Sequence, residues 1–108
     1  MREQMPRRSA EQRLRALERA NEIRLRRARL KRDLKAGRAQ LAEILRDPPE
    51  YVLTATVFDL LLSVPKLGPV KAARLLREST ISRSQTVVGL SDRERSMLVG
   101  LLRRSSRP

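Results

Sequence analysis

The chain has 108 residues, with 25 Lys and Arg against 12 Asp and Glu, a formal net charge of +13. That length suits one compact domain plus an appendage, and that charge points to a polyanionic partner. With no Cys and no His, disulfide frameworks, thiolate or imidazole metal sites, and His-dependent catalysis are excluded. No catalytic residue, metal or cofactor is therefore expected. No apolar run approaches the roughly 18 residues of a membrane span and no signal-peptide pattern occurs, so the expected location is cytoplasmic.

In chain order, residues 1–8 read as a basic, disordered tail. Ser9 and Gln12 have the spacing of a capping box, and no Pro or Gly interrupts the chain from there to Ala36. Gly37 supplies a stop, so the pattern predicts a long basic helix over 9–37. At about 100° per residue, Leu14, Leu17, Leu25 and Ala28 lie on one side, and Ile23, Leu30 and Leu34 on nearly the opposite side. The second stripe is expected to dock on a domain. The first is either further packing or a face for a partner or a second copy.

A helical domain is expected over 38–104, with 105–108 as a tail. It begins with a short helix over 38–46, directing Leu41, Ile44 and Leu45 inward, which Asp47-Pro48-Pro49-Glu50 breaks. Thr56 is placed to cap a third helix, aided by Asp59, and that helix stops at Pro65. A tight hairpin follows at Lys66-Leu67-Gly68, and Pro69 opens a fourth helix at a position where a missing N–H does no harm. Val70, Ala73 and Leu76 are expected on its apolar face, beside Lys71 and Arg74. Ser91 and Glu94 form a second capping box, and the last helix should turn Met97, Leu98, Leu101 and Leu102 inward. The fold class is all-α: a long N-terminal helix followed by a small domain with a helix–hairpin–helix element.

Residues 1–46 carry 15 basic and 6 acidic side chains, a net of +9, and residues 47–108 carry 10 and 6, a net of +4. Arg24, Arg27, Lys31 and Lys35, within the densest basic run, are candidates for an auxiliary electrostatic contact with phosphates. Only Tyr51 and Phe58 are aromatic. Base-stacking platforms for single strands are therefore missing, which favours a duplex.

The stretch Ser63-Val64-Pro65-Lys66-Leu67-Gly68 leading into Val70-Lys71-Ala72, and Gly89-Leu90 before the last helix, resembles the actinobacterial type of integration host factor. That family places a long basic helix on a helix-two-turns-helix domain, and the resemblance covers residues 9 to 104. It implies a nucleoid-associated protein that binds double-stranded DNA with little sequence preference and bends or condenses it, with a role in assisting site-specific recombination. The DNA-binding residues so implied are Lys66, Leu67, Gly68, Val70, Lys71 and Arg74 at the hairpin. Arg83, Gln85, Thr86, Val88 and Ser91 form the later loop, and Thr54 and Thr56 a lid. The lid here reads Leu53-Thr54-Ala55-Thr56 where the family has lysines, and Gln85, Thr86 and Val88 stand where arginines are usual. Pro69 replaces a usual lysine. A monomer in solution, able to multimerise on DNA, is expected. The rival functions are an RNA- or ribosome-binding helical protein and a protein-interaction module using the N-terminal helix.

Overall fold

The computed structural model describes residues 5–105, whose order is α1 (Met5–Lys35), α2 (Leu41–Arg46), α3 (Val57–Leu62), α4 (Pro69–Glu78) and α5 (Asp92–Ser105). Short 3₁₀ turns at Glu50–Val52 and Val87–Gly89 join them. The all-α expectation holds, with a long helix leading into a small helical domain. The molecule measures 63 × 28 × 23 Å, so α1 runs well past the domain that its C-terminal half packs on.

Helix α1 starts at Met5, upstream of the Ser9 box, so Ser9 lies inside the helix. Pro6 permits this, because a proline in the first turn loses an N–H that has no helical acceptor there. Of the expected tail, residues 1–4 lie outside the described residues. At the other end Ser105 closes α5, and 106–108 lie outside.

The stop at Gly37 is a complete Schellman motif: Gly37 has φ +77°, its N–H donates to Leu34 O (3.2 Å), and Arg38 N–H donates to Asp33 O (2.8 Å). The same motif ends α4 on Thr80, φ 57°, with Thr80 N–H to Arg77 O (3.1 Å) and Ile81 N–H to Leu76 O (2.8 Å). Because residues 38–40 belong to the turn after Gly37, α2 starts at Leu41 rather than at Arg38.

The core gathers Leu30 and Leu34 of α1, Leu41 and Leu45 of α2, Leu60 and Leu61 of α3, Leu75 and Leu76 of α4, and Leu98 and Leu102 of α5. Each fully buried leucine contributes about 1.5–3 kcal/mol of burial. Ile23 is half-buried, so the docking stripe of α1 is as expected. Ile44 of α2 and Leu101 of α5 are also only half-buried at the edge of the core. The opposite stripe does not pack: Leu14, Leu17 and Leu25 are 57%, 62% and 71% exposed.

Two helices are rotated from their expected phase. In α4 the buried residues are Ala72, Leu75 and Leu76, while Val70 is 73% exposed and Ala73 half-buried. In α5 Val99 enters the core and Met97 is 43% exposed. Both sequences carry apolar residues at adjacent positions. Packing of α4 on α3 and of α5 on α2 selects which phase is buried.

Candidate nucleic-acid interface

The hairpin follows from two residues. Leu67 N–H donates to Val64 O (3.2 Å), closing a turn with Pro65 at its second position and Lys66 at its third. Lys66 has φ 66°, the left-handed region that such a turn requires and that a side chain adopts at a cost. Gly68 caps α4 with φ −79° and ψ 177°, ordinary extended backbone. A Cβ on Gly68 would meet nothing within 4 Å. Neither backbone geometry nor packing demands glycine there.

Gly68 has no side chain to cap the helix, and Pro69 has no N–H. The amides of Val70 and Lys71 at the first turn are therefore left without a helical or side-chain acceptor, at the positive end of the helix dipole. Ala72 N–H already bonds Gly68 O at 2.9 Å. Lys66, Leu67, Lys71 and Arg74 line one groove between the hairpin and the turn after α1, together with Glu78 and Arg104. Three of the implied cations thus share this groove; of the two residues with open amides, Lys71 lines it and Val70 does not.

The lid and the later loop are joined by backbone hydrogen bonds. Val57 N–H donates to Gln85 O (3.0 Å), Val87 N–H to Ala55 O (3.0 Å) and Val88 N–H to Leu53 O (2.9 Å). Thr56 and Thr86 sit opposite each other in an antiparallel bridge. Thr54, Thr56, Gln85, Thr86 and Val88 therefore belong to one clamped surface, on which Val88 is 60% exposed. The Gln85 side chain folds back, its Nε2 donating to Thr86 O (3.3 Å). It also lies against the position a Cβ on Gly89 would take, so this glycine makes room for it. Arg83 lays its guanidinium over the Phe58 ring, 4.4 Å from the centroid.

The hydroxyls of this surface have structural tasks. Thr56 Oγ1 accepts from Asp59 N–H (3.2 Å) and caps α3 as expected. Ser91 Oγ accepts from Glu94 N–H (3.1 Å) while Ser91 N–H donates to Glu94 Oε1 (2.9 Å), a full capping box. Thr54 Oγ1 accepts from the Arg27 guanidinium. Each hydroxyl keeps its own O–H to donate to an anionic oxygen.

The four auxiliary cations of α1 divide into two pairs. Arg24 and Lys35 are exposed. Arg27 is half-buried and holds the Tyr51 carbonyl and Thr54, and Lys31 pairs with Asp59 at 2.5 Å. These two fasten α1 to the domain. The sequence pattern missed that role, since nothing in the spacing of a basic run tells which members meet carbonyls and carboxylates of other elements.

The comparisons with known proteins agree on one family. Residues 34–101 match the S13-like H2TH domain. The integration host factor of Mycobacterium tuberculosis is 38% identical over 97 residues, covering 88% of this chain and 92% of that protein. The chain belongs to the integration host factor family. A further member, from Streptomyces coelicolor, is 35% identical over 92 residues, covering 83% of this chain and 86% of its own length. A solved structure of sIHF bound to an 8-bp palindromic DNA superposes with a TM-score of 0.68 at 30% identity, covering 82% of this chain and 97% of that one.

Proposed function

We propose that the protein is a nucleoid-associated architectural protein that binds duplex DNA through its phosphates and bends or condenses it in the cytoplasm. The observation that carries this is the uncapped start of α4. Gly68 leaves the Val70 and Lys71 amides open, on a hairpin whose Lys66, Lys71 and Arg74 share one groove, at a glycine that the fold itself does not need. A helix N-terminus with free amides and neighbouring cations suits a phosphate oxygen. The clamped surface of Thr54, Thr56, Arg83, Gln85, Thr86, Val88 and Ser91 offers hydroxyls, amides and one guanidinium for a second stretch of backbone. The DNA-bound relative supports a duplex as the ligand. Such contacts position a protein without reading bases, so little sequence preference follows. Assistance to site-specific recombination is the cellular role that fits a protein of this kind, and no enzymatic step is part of it.

The test is duplex binding measured across a salt series, for the wild type and for Lys71→Glu with Arg74→Glu. Neither side chain is buried in the core, so the fold tolerates the change. Binding that falls steeply with salt and is lost in the double variant supports the proposal. No shift at low salt removes it. The rival ligand is structured RNA. Competition between duplex DNA and structured RNA at equal salt decides between the two.

A further inference from the structure

The exposed stripe of α1 has the pattern of a seam. Ala10, Leu14, Leu17 and Asn21 succeed one another at intervals of four, three and four, the a/d repeat of a two-stranded coil, and Leu25 continues the line. On a straight helix these five fall within an arc of about 80°. The face points away from the protein's own domain, because Leu30 and Leu34, buried in the core, lie on the opposite side of the helix.

Charge says what covers it. Residues 9–22 carry Arg13, Arg15 and Arg19 against Glu11, Glu18 and Glu22, a net of zero. Residues 23–35 carry seven cations against Asp33, a net of +6. The basic block suited to phosphate thus occupies the proximal half of the helix, while the distal half is neutral and leucine-lined. In the heptad frame that puts Leu14 at a and Leu17 at d, Arg13 falls at g and Glu11 and Glu18 at e. Between two parallel copies, a g residue faces the e residue five positions later on its partner. Arg13 then meets the partner's Glu18, and the symmetry repeats the pair. Antiparallel copies would set glutamate against glutamate. Among the described residues neither Arg13 nor Glu18 has an ion-pair partner in its own chain. Asn21 falls at an a position, where a buried amide favours one register and two strands.

We infer that the distal half of α1 pairs with the same segment of a second copy of this chain, as a short parallel two-stranded coil in register. The seam is about two heptads long, so pairing is weak and the chain is single when dilute. Copies held side by side on one ligand raise their effective concentration and close the coil. The two domains sit on the outer faces of the pair.

The experiment uses the full chain without nucleic acid, so its outcome does not depend on the DNA reading. Sedimentation equilibrium up to about 1 mM, a range set by so short a seam, is expected to show mass rising from 12.4 kDa towards twice that value. Leu14→Asp with Leu17→Asp is expected to hold the mass at one chain with unchanged helicity, both residues being exposed. Glu18→Arg alone should weaken pairing about fivefold, and adding Arg13→Glu should restore it. The chain has no cysteine of its own. Ala10→Cys and Asn21→Cys, both on the seam, should therefore each oxidise to a homodimer, with no 10–21 disulfide in a mixture. A mass of one chain throughout overturns the inference. So does a predominant 10–21 disulfide, the mark of an antiparallel pair, or a Leu14/Leu17 variant that still pairs.

Discussion

Arg27 binds the backbone of Tyr51: its Nε donates to the Tyr51 carbonyl at 2.7 Å, and its other arm reaches Thr54 Oγ1. A residue in the middle of the basic helix is thereby the fastening between α1 and the lid. Arg27→Met keeps much of the aliphatic stem and removes both bonds. It is expected to cost about 1–2 kcal/mol, because a charged donor to a carbonyl is among the stronger hydrogen bonds. Thermal unfolding measures the loss. An unchanged midpoint would show that the lid holds without α1.

Gly68→Val separates fold from ligand contact. With φ −79° and no atom within 4 Å of the added Cβ, the variant should unfold within about 0.5 kcal/mol of wild type. Duplex affinity should fall about tenfold or more, since the side chain stands where a phosphate would approach the α4 amides. Equal affinity in a folded variant would reduce the hairpin to scaffold.

Lys66 and Thr80 are the two non-glycine residues with positive φ among those described. Thr80→Gly is expected to stabilise the chain by about 1 kcal/mol, because a β-branched side chain is poorly accommodated at that cap. The midpoint should rise roughly 4–8 °C for a domain of this size. Lys66→Gly should stabilise similarly yet weaken duplex binding, as it also removes a charge. Denaturant titration and a binding isotherm on the same preparations check both effects.

The exposed and the engaged cations of α1 should respond differently to salt. Arg24→Gln with Lys35→Gln is expected to lower the salt slope of duplex binding by about 0.9 for each phosphate that is no longer neutralised, with stability unchanged. Lys31→Gln should leave the slope nearly intact and reduce stability slightly, because Lys31 is held by Asp59. Equal slopes for all variants would mean that α1 touches no phosphate.

Local punctuation was readable from the chain. Thr56 with Asp59, Ser91 with Glu94, Pro69 at the first position of α4 and Gly37 after α1 all do in the structure what their chemistry suggests. Each involves groups within about one turn of chain. Phase was less readable: Val70 against Ala72, and Met97 against Val99, differ by one or two positions on short helices crowded with apolar residues. The neighbouring helix decides between them. The start of α1 was missed because Ser9 mimics a cap where Pro6 has already begun the helix.

At the candidate site, the charges and Gly68 could be picked out from composition and the hairpin motif. Their neighbours could not. That Lys66 rather than Gly68 carries the left-handed backbone follows from the register of one turn. That Arg27 and Lys31 serve the fold follows from the approach of segments far along the chain. Thr54, Thr56 and the loop around Gln85 were reached only through family resemblance, and the structure brings them together by backbone amides that leave no trace in side-chain identity.

The three amide bonds between residues 53–57 and 85–88 close the intervening chain, α3, hairpin and α4 together, into a ring. A ring stitched through its backbone and packed on its own leucines is a stiff object. Those stitches hold the two ends of that segment together. If the proposed duplex engages both places, it meets a spacing set by the protein. On the proposed function, a stiff ring would place the bending in the duplex rather than in the protein.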